Sequence, residues 1–428
     1  MVIYNTLFIM YGDDDFEGEQ DQIINEEYKI WKYNSPYLYD TLLMGAIEWP
    51  SLTVSWLPHR EITNDGLFTV HRFILGTHTN NNEQNYLIIA KAYLPTQQST
   101  SQGDDDLHYT QEQINAYSKI ESKIEIEYKI NHTGEINKAR PMPQHDKSNI
   151  IATKTQSGEI HIFDYLKHPK KPTDMQTKPE LKLTGHTKEG FGLCWSALKE
   201  GFLLSGSDDH RICLWDINVC NGCNPLMKTI EKHKSVVEDV SWSKQLRNVF
   251  VSCGDDHKMM IWDIRKDEPT HIVEAHVQEV NSVDCNPFNE YLILTSSNDK
   301  TCALWDIRNL NKKLHVFKNH KNDVIAARWN PRIMSLFASF SSDRRVNIWD
   351  LSQIGLTVPE LDEDGPSELL FTHGGHTSRI SDMDWNPNEE LMCISVSDDN
   401  IVQVWEMAGY LYYNDSGNGH SCYDDVIM

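Results

Sequence analysis

Short apolar or alternating runs closed by polar turns recur along most of the chain. Val236 to Trp242 is one such run, and Arg211-Ile212-Cys213-Leu214-Trp215 alternates as a half-buried strand should. Further strands are predicted over Leu52 to Leu57, Phe68 to Leu75, Tyr86 to Tyr93 and Lys123 to Ile130, interrupted by a polar stretch, Thr96 to Lys119, that reads as a long loop. One segment has the helical period instead. In Asp21 to Lys32, Ile24, Tyr28 and Trp31 fall at i, i+4 and i+7, which gives an amphipathic helix; Pro36 restrains Ser35 and is expected to end it.

The strand-like runs repeat in register. Trp215-Asp216, Trp262-Asp263, Trp305-Asp306, Trp349-Asp350 and Trp405-Glu406 are spaced by 47, 43, 44 and 56 residues. A His stands 29 residues before each Trp (186, 233, 276, 320, 376), and an Asp stands six before it (209, 256, 299, 343, 399). Nine residues after each His comes a core position, Trp195, Trp242, Cys285, Trp329 or Trp385. A weaker copy ends at Ile160-His161-Ile162-Phe163-Asp164, and the four upstream strands supply one more unit. Units of four short strands at this period resemble WD-repeat β-propellers, so the fold class expected is all-β, a seven-bladed propeller with an N-terminal α-helix. The expected organisation is an acidic and apolar extension over 1–20, helix and connector over 21–46, the propeller over 47–407 and a tail over 408–428.

The charge changes the picture next. There are 39 Lys+Arg against 63 Asp+Glu, a formal charge of −24, which disfavours binding DNA or RNA directly and favours a basic protein partner. No stretch of 18 apolar residues occurs, and the opening MVIYNTLFIM lacks a basic flank and a small-residue cleavage site, so an intracellular location without membrane insertion is expected. The nine cysteines form an odd set, mostly inside strand-like runs, and are expected to be reduced core thiols; Cys220-x-x-Cys223 has no second pair to complete a zinc site. The repeated His and Asp residues are expected to bond each other within a blade rather than bind metal. No nucleophile elbow, phosphate loop or metalloprotease helix is present, so no catalysis, cofactor or metal is expected.

Function should lie in what is not repeat. The spacing of 56 places an acidic insertion, Gly355 to Leu370, between two blades, and Glu48-Trp49-Pro50-Ser51-Leu52 links helix to ring. The runs Asn25 to Trp31, Glu48 to Thr53, Leu75 to Thr79, Lys123 to Glu127, Ile130 to Glu135 and Gly374 to Thr377 resemble the retinoblastoma-binding, Msi-type histone-binding WD-repeat proteins, over about 25–407. The resemblance implies a non-catalytic chaperone and scaffold for histones H3 and H4. Such a protein would be nuclear and monomeric within hetero-complexes for chromatin assembly, deacetylation, remodelling or Polycomb-type repression. It further implies a groove for a histone H4 helix, with Ile24, Tyr28, Ile30 and Trp31 on one side and Asp362, Glu363, Asp364 and Leu370 on the other. Gly365-Pro366-Ser367 carries one proline where the family has two. The alternative is a generic WD-repeat scaffold, including a cullin ubiquitin-ligase substrate receptor, since Trp262 to Arg265 and Trp305 to Arg308 match its W-D-x-R pattern.

A second site has some support from the spacing itself. Positions three and five after each repeat His are expected on loops at one face of the ring: Glu189/Phe191, Val236/Glu238, Glu279/Asn281, Asp323/Ile325 and Arg379/Ser381. Four of these ten are acids, which fits either ordinary acidic loops or a face for an Arg/Lys-rich peptide. The resemblance implies the latter, a histone H3 tail face of Glu48, His78, Glu135, Asn137, Glu189, Phe191, Glu238, Asp255, Asn281, Asp323, Arg379 and Asp398. Phe191, Asp323 and Ile325 are conservative departures from the family's commoner Tyr, Glu and Phe.

Overall fold

Seven four-stranded antiparallel sheets account for every strand among the described residues, and six of them are consecutive in sequence. The computed structural model describes residues 13–80, 83–96, 123–144, 147–219, 224–356 and 365–413, with side chains from residue 21 onward. Blade 1 spans Ser51–Ile62, Phe68–Thr77, Asn85–Pro95 and Lys123–His132; blade 2 begins at Ile136–Pro141, blade 3 at Leu193–Trp195, blade 4 at Val237–Trp242, blade 5 at Val280–Cys285 and blade 6 at Val324–Trp329. Blade 7 joins Ile380–Trp385, Met392–Ser397 and Ile401–Met407 to an outer strand from the other end of the chain, Tyr39–Ala46. Residues 39–46 are therefore not a connector but the strand that closes the ring, pairing Leu42 with Trp405 and Ala46 with Ile401. Closure removes the two free sheet edges that an open array would leave.

The repeated residues form one hydrogen-bonded chain per blade. His186 Nδ1 lies 3.2 Å from Asp209, its Nε2 lies 2.7 Å from Ser205 Oγ, and Trp215 Nε1 donates to that same Oγ at 2.9 Å. Equivalent sets are His233, Asp256, Ser252 and Trp262; His276, Asp299, Thr295 and Trp305; His320, Asp343, Ser339 and Trp349; and His376, Asp399, Ser395 and Trp405. Since Trp can only donate, the hydroxyl must donate to His Nε2, which fixes the His proton on Nδ1, toward the Asp. Each Asp also accepts the N–H two residues on, and the residue between, such as His210 or Arg344, has positive φ. The histidines are thus committed to the scaffold. Blade 2 keeps a remnant, His132 Nε2 2.9 Å from Thr153 Oγ1, with Phe163 in place of Trp and the Gly134 carbonyl in place of Asp.

Two further expectations are corrected. The N-terminal helix runs through Pro36, over Asp13–Leu38. Proline leaves the Lys32 carbonyl without its helical donor, and the Ser35 hydroxyl supplies one at 3.0 Å, so the helix continues. The acidic insertion does not separate two blades: it lies between Val346–Asp350 and Leu369–His373, adjacent strands of blade 6. Asp362, Glu363 and Asp364, Cys220 and Cys223, and nearly all of the 96–119 loop lie outside the described residues. The cysteines at 213, 253, 285, 302 and 393 are buried free thiols, and Cys194 is half-buried.

Candidate functional sites

The inner strands do not start as regular pairs. In blades 2, 4, 5, 6 and 7 the second residue, Asn137, Glu238, Asn281, Ile325 or Ser381, is skipped by the ladder, as between Val237 and Asp239. These are β-bulges, which turn a side chain out of the sheet toward the channel mouth. Position five after the repeat His is therefore a strand residue and not a loop residue in these blades. The half-turn before it is clasped to the next turn of the same blade. The carbonyls of Glu189, Val236, Glu279, Asp323 and Arg379 accept the N–H groups of Asp208, Asp255, Asn298, Ser342 and Asp398 at 3.0–3.2 Å. Both positions and the residue before each repeat Asp thus share one face.

Most of the expected tail-face residues come together there. Asn137 donates to Glu189 at 3.0 Å, Asn281 donates to Asn298 Oδ1 at 2.6 Å, and Arg379 pairs with Asp398 at 2.6 Å. His78 lies 3.0 Å from Glu135, whose other oxygen is buried without a partner. Glu48 is exposed and reaches Lys129 at 3.5 Å, while Asp323 and Phe191 are exposed at the rim. Asp208 was not singled out by the spacing, yet it sits in the densest part of the acidic face. Its signal was available, because Asp208, Asp255 and Asp398 all immediately precede a repeat Asp. Glu135 and Asn137 also obey the rule of three and five, counted from His132.

The electrostatics there are unusual for acids on a surface. Burial pushes the Glu238 carboxyl up to about 8, helped by Asp255, Asp208 and Asp239. Burial and Glu279 raise Asp255, and burial and Glu189 raise Asp208. A concave mouth with this much undischarged negative character is built to receive a cation.

The second site is at the helix. Glu27 accepts from Arg344 and Arg345, each at 2.8 Å, and Trp31 Nε1 donates to the Tyr39 hydroxyl at 2.9 Å, itself 2.7 Å from His373 Nδ1. A Cβ on Gly375 would come 2.7 Å from the Trp31 ring, so glycine is required beneath it. Trp31 is 8% exposed. It is not a groove wall, as expected from the sequence, but the anchor that seats the helix, because its indole fills the gap over Gly374 and Gly375. Tyr28 and Leu370 are half-buried against the same apolar cluster, Ile24 is half-buried, and Ile30 is 40% exposed. Ile23, missed by the heptad reading, is 57% exposed one turn from the docked face. Trp49 is half-buried and donates to Glu83 at 3.0 Å.

Comparison with known families follows this division of the molecule. Residues 26–96 are similar to the family described as histone-binding protein RBBP4 or its counterpart in the CAF1 complex, a stretch that contains the docked helix, the closing strand and most of blade 1. Residues 177–216, 224–263, 267–306, 311–350 and 367–406 are similar to the WD domain, G-beta repeat, and correspond to blades 3 to 7.

Proposed function

Because this chain belongs to the Msi-type, retinoblastoma-binding family of histone-binding WD-repeat scaffolds, we propose that it is a nuclear, non-catalytic chaperone for histones H3 and H4. It acts as a monomeric subunit within complexes that assemble, deacetylate, remodel or repress chromatin. The observation that carries the proposal is the acidic channel mouth around Glu238, Asp255, Asp208 and Glu189, whose bulged strands and clasped turns hold carboxylates for the Arg and Lys side chains of an H3 tail. A histone H4 helix is assigned to the flank formed by the docked helix, through Ile24, Tyr28 and Ile30, and by Leu370 with the insertion residues Asp362 to Asp364. This is helix-in-groove recognition. The ligase-adaptor reading gains little, since Arg265 and Arg308 of its motif are folded back onto Asp263 and Asp306.

The test pairs a pull-down with purified H3–H4 against a gel shift with duplex DNA at physiological salt. Retention of the histones without a DNA shift supports the assignment. Tight DNA binding, or capture of a cullin adaptor in place of histones, would replace it.

A further inference from the structure

The opposite end of the channel carries the other sign of charge. Where the inner strands end, at Trp195, Trp329 and Trp385, the channel widens into a cavity of about 360 Å³ bounded also by turn prolines. Three carboxylates line it, and each already has donors. Asp239 accepts from the Val240 N–H at 2.9 Å and from Arg328 at 3.0 Å; Asp284 from the Trp329 N–H at 3.0 Å and the Ser241 hydroxyl at 3.2 Å; Asp384 from the Trp56 N–H and the Ser55 hydroxyl, both at 2.9 Å. The cations are served less well. Lys244 meets only Asp284 among the described residues, at 4.0 Å, outside hydrogen-bond range.

The cationic character continues outward along the same turn. Arg247 is exposed and makes no ion pair among the described residues. Lys199, on the neighbouring blade's turn, donates to Asn248 Oδ1 at 2.8 Å and is thereby held beside Arg247. Burial and the charges of Arg247 and Arg265 lower the Lys199 ammonium's pKa, the mark of like charges held together without a counter-ion. At about 0.1 M salt, screening acts over roughly 10 Å, so the distant acids that set the overall −24 do not cancel this local field.

We propose that this mouth is a separate docking site for an acidic, extended segment of a partner protein, with one carboxylate on Lys244 and its neighbours on Arg247 and Lys199. A peptide fits better than a nucleic acid. The tryptophan and proline walls offer contact to apolar side chains, whereas an unbroken phosphate backbone would run past Asp239, Asp284 and Asp384 as well.

Fluorescence anisotropy with a short labelled Glu/Leu peptide, at about 50 mM NaCl to limit screening, tests the site. Wild type is expected to bind saturably. Arg247→Glu, an exposed and unpaired position that leaves the fold intact, should weaken binding about threefold, and Lys244→Gln with Arg247→Glu about tenfold or more. A basic tail peptide measured in parallel should bind both variants as it binds wild type, which keeps this result separate from the histone assignment. Absence of saturable binding by wild type, equal binding by both variants, or tighter binding of duplex DNA than of the peptide overturns the site.

Discussion

Glu238 and Asp255 share a hydrogen bond at the channel mouth although both are acids, so one of the pair must hold a proton. Burial first, then Asp255 and Asp208, keep Glu238 protonated up to about pH 8. A cationic peptide favours the ionised form. Binding should therefore release a proton and strengthen with rising pH, about three- to tenfold from pH 6.5 to 8.5. Calorimetry in two buffers of different ionisation enthalpy measures the proton count directly. Proton uptake, or an affinity that falls over this range, would exclude the pair from the site.

The closing strand carries its own pH dependence. Glu406 stands where the other repeats have Asp, opposite Thr41 of the closing strand, and burial followed by Asp40 and Glu389 raises its carboxyl to about 7. A carboxyl whose folded value exceeds its unfolded one costs nothing at pH 4, costs progressively more between about 4.5 and 7, and carries the full cost above 7. Glu406→Gln is expected to stabilise the fold at pH 8.5 by about 1–2 kcal/mol and to leave it unchanged at pH 4, as read by urea midpoints.

The repeat grammar was legible because it is local: each His, Asp and Trp lies within one unit, at fixed offsets from its partners. The Ser or Thr that joins them, ten residues before each Trp, was equally regular but chemically plain, and its role emerged only from the hydrogen bonds to Ser205, Ser252, Thr295, Ser339 and Ser395. Tyr39–Ala46 was not legible as a strand, since its partner lies more than 350 residues away and no second copy repeats it. Pro36 misled because the rule concerns the backbone alone, and the Ser35 side chain supplied the missing donor. At the acidic face the spacing found Glu189, Glu238 and Asp323 but could not show that bulges, not loops, aim several of these positions. Trp31 was assigned to an open wall because amphipathic spacing identifies an apolar face without saying what covers it.

The helix should behave as a latch. Trp31→Ala removes the bond to Tyr39 and leaves the Gly374–Gly375 seat empty, a loss of about 3–5 kcal/mol if it were taken from the global fold. The helix contacts the ring mainly through Glu27, Tyr28 and Trp31, so the expected result is local detachment. Hydrogen exchange should become fast over residues 21–38 while the blades stay protected. Loss of protection across the whole ring would show that the helix is part of the propeller's own folding unit.

Replacing Asp362, Glu363 and Asp364 together by Asn, Gln and Asn leaves the loop length unchanged. Binding of a histone H4 helix peptide is expected to weaken several-fold, with the tail-peptide affinity unaltered, because sites without shared partners act nearly additively. Equal loss at both sites, at unchanged melting temperature, would merge them into one surface.

The most direct measurement is calorimetric titration of a histone H3 amino-terminal peptide into wild type and into Glu238→Lys with Asp323→Lys, with melting temperatures recorded for both. Wild type should bind one peptide saturably, and the double variant should bind at least tenfold more weakly without loss of fold, since each charge-assisted contact is worth about 1–3 kcal/mol. Unchanged affinity in a folded double variant would contradict the assignment of this acidic mouth as the histone-tail site.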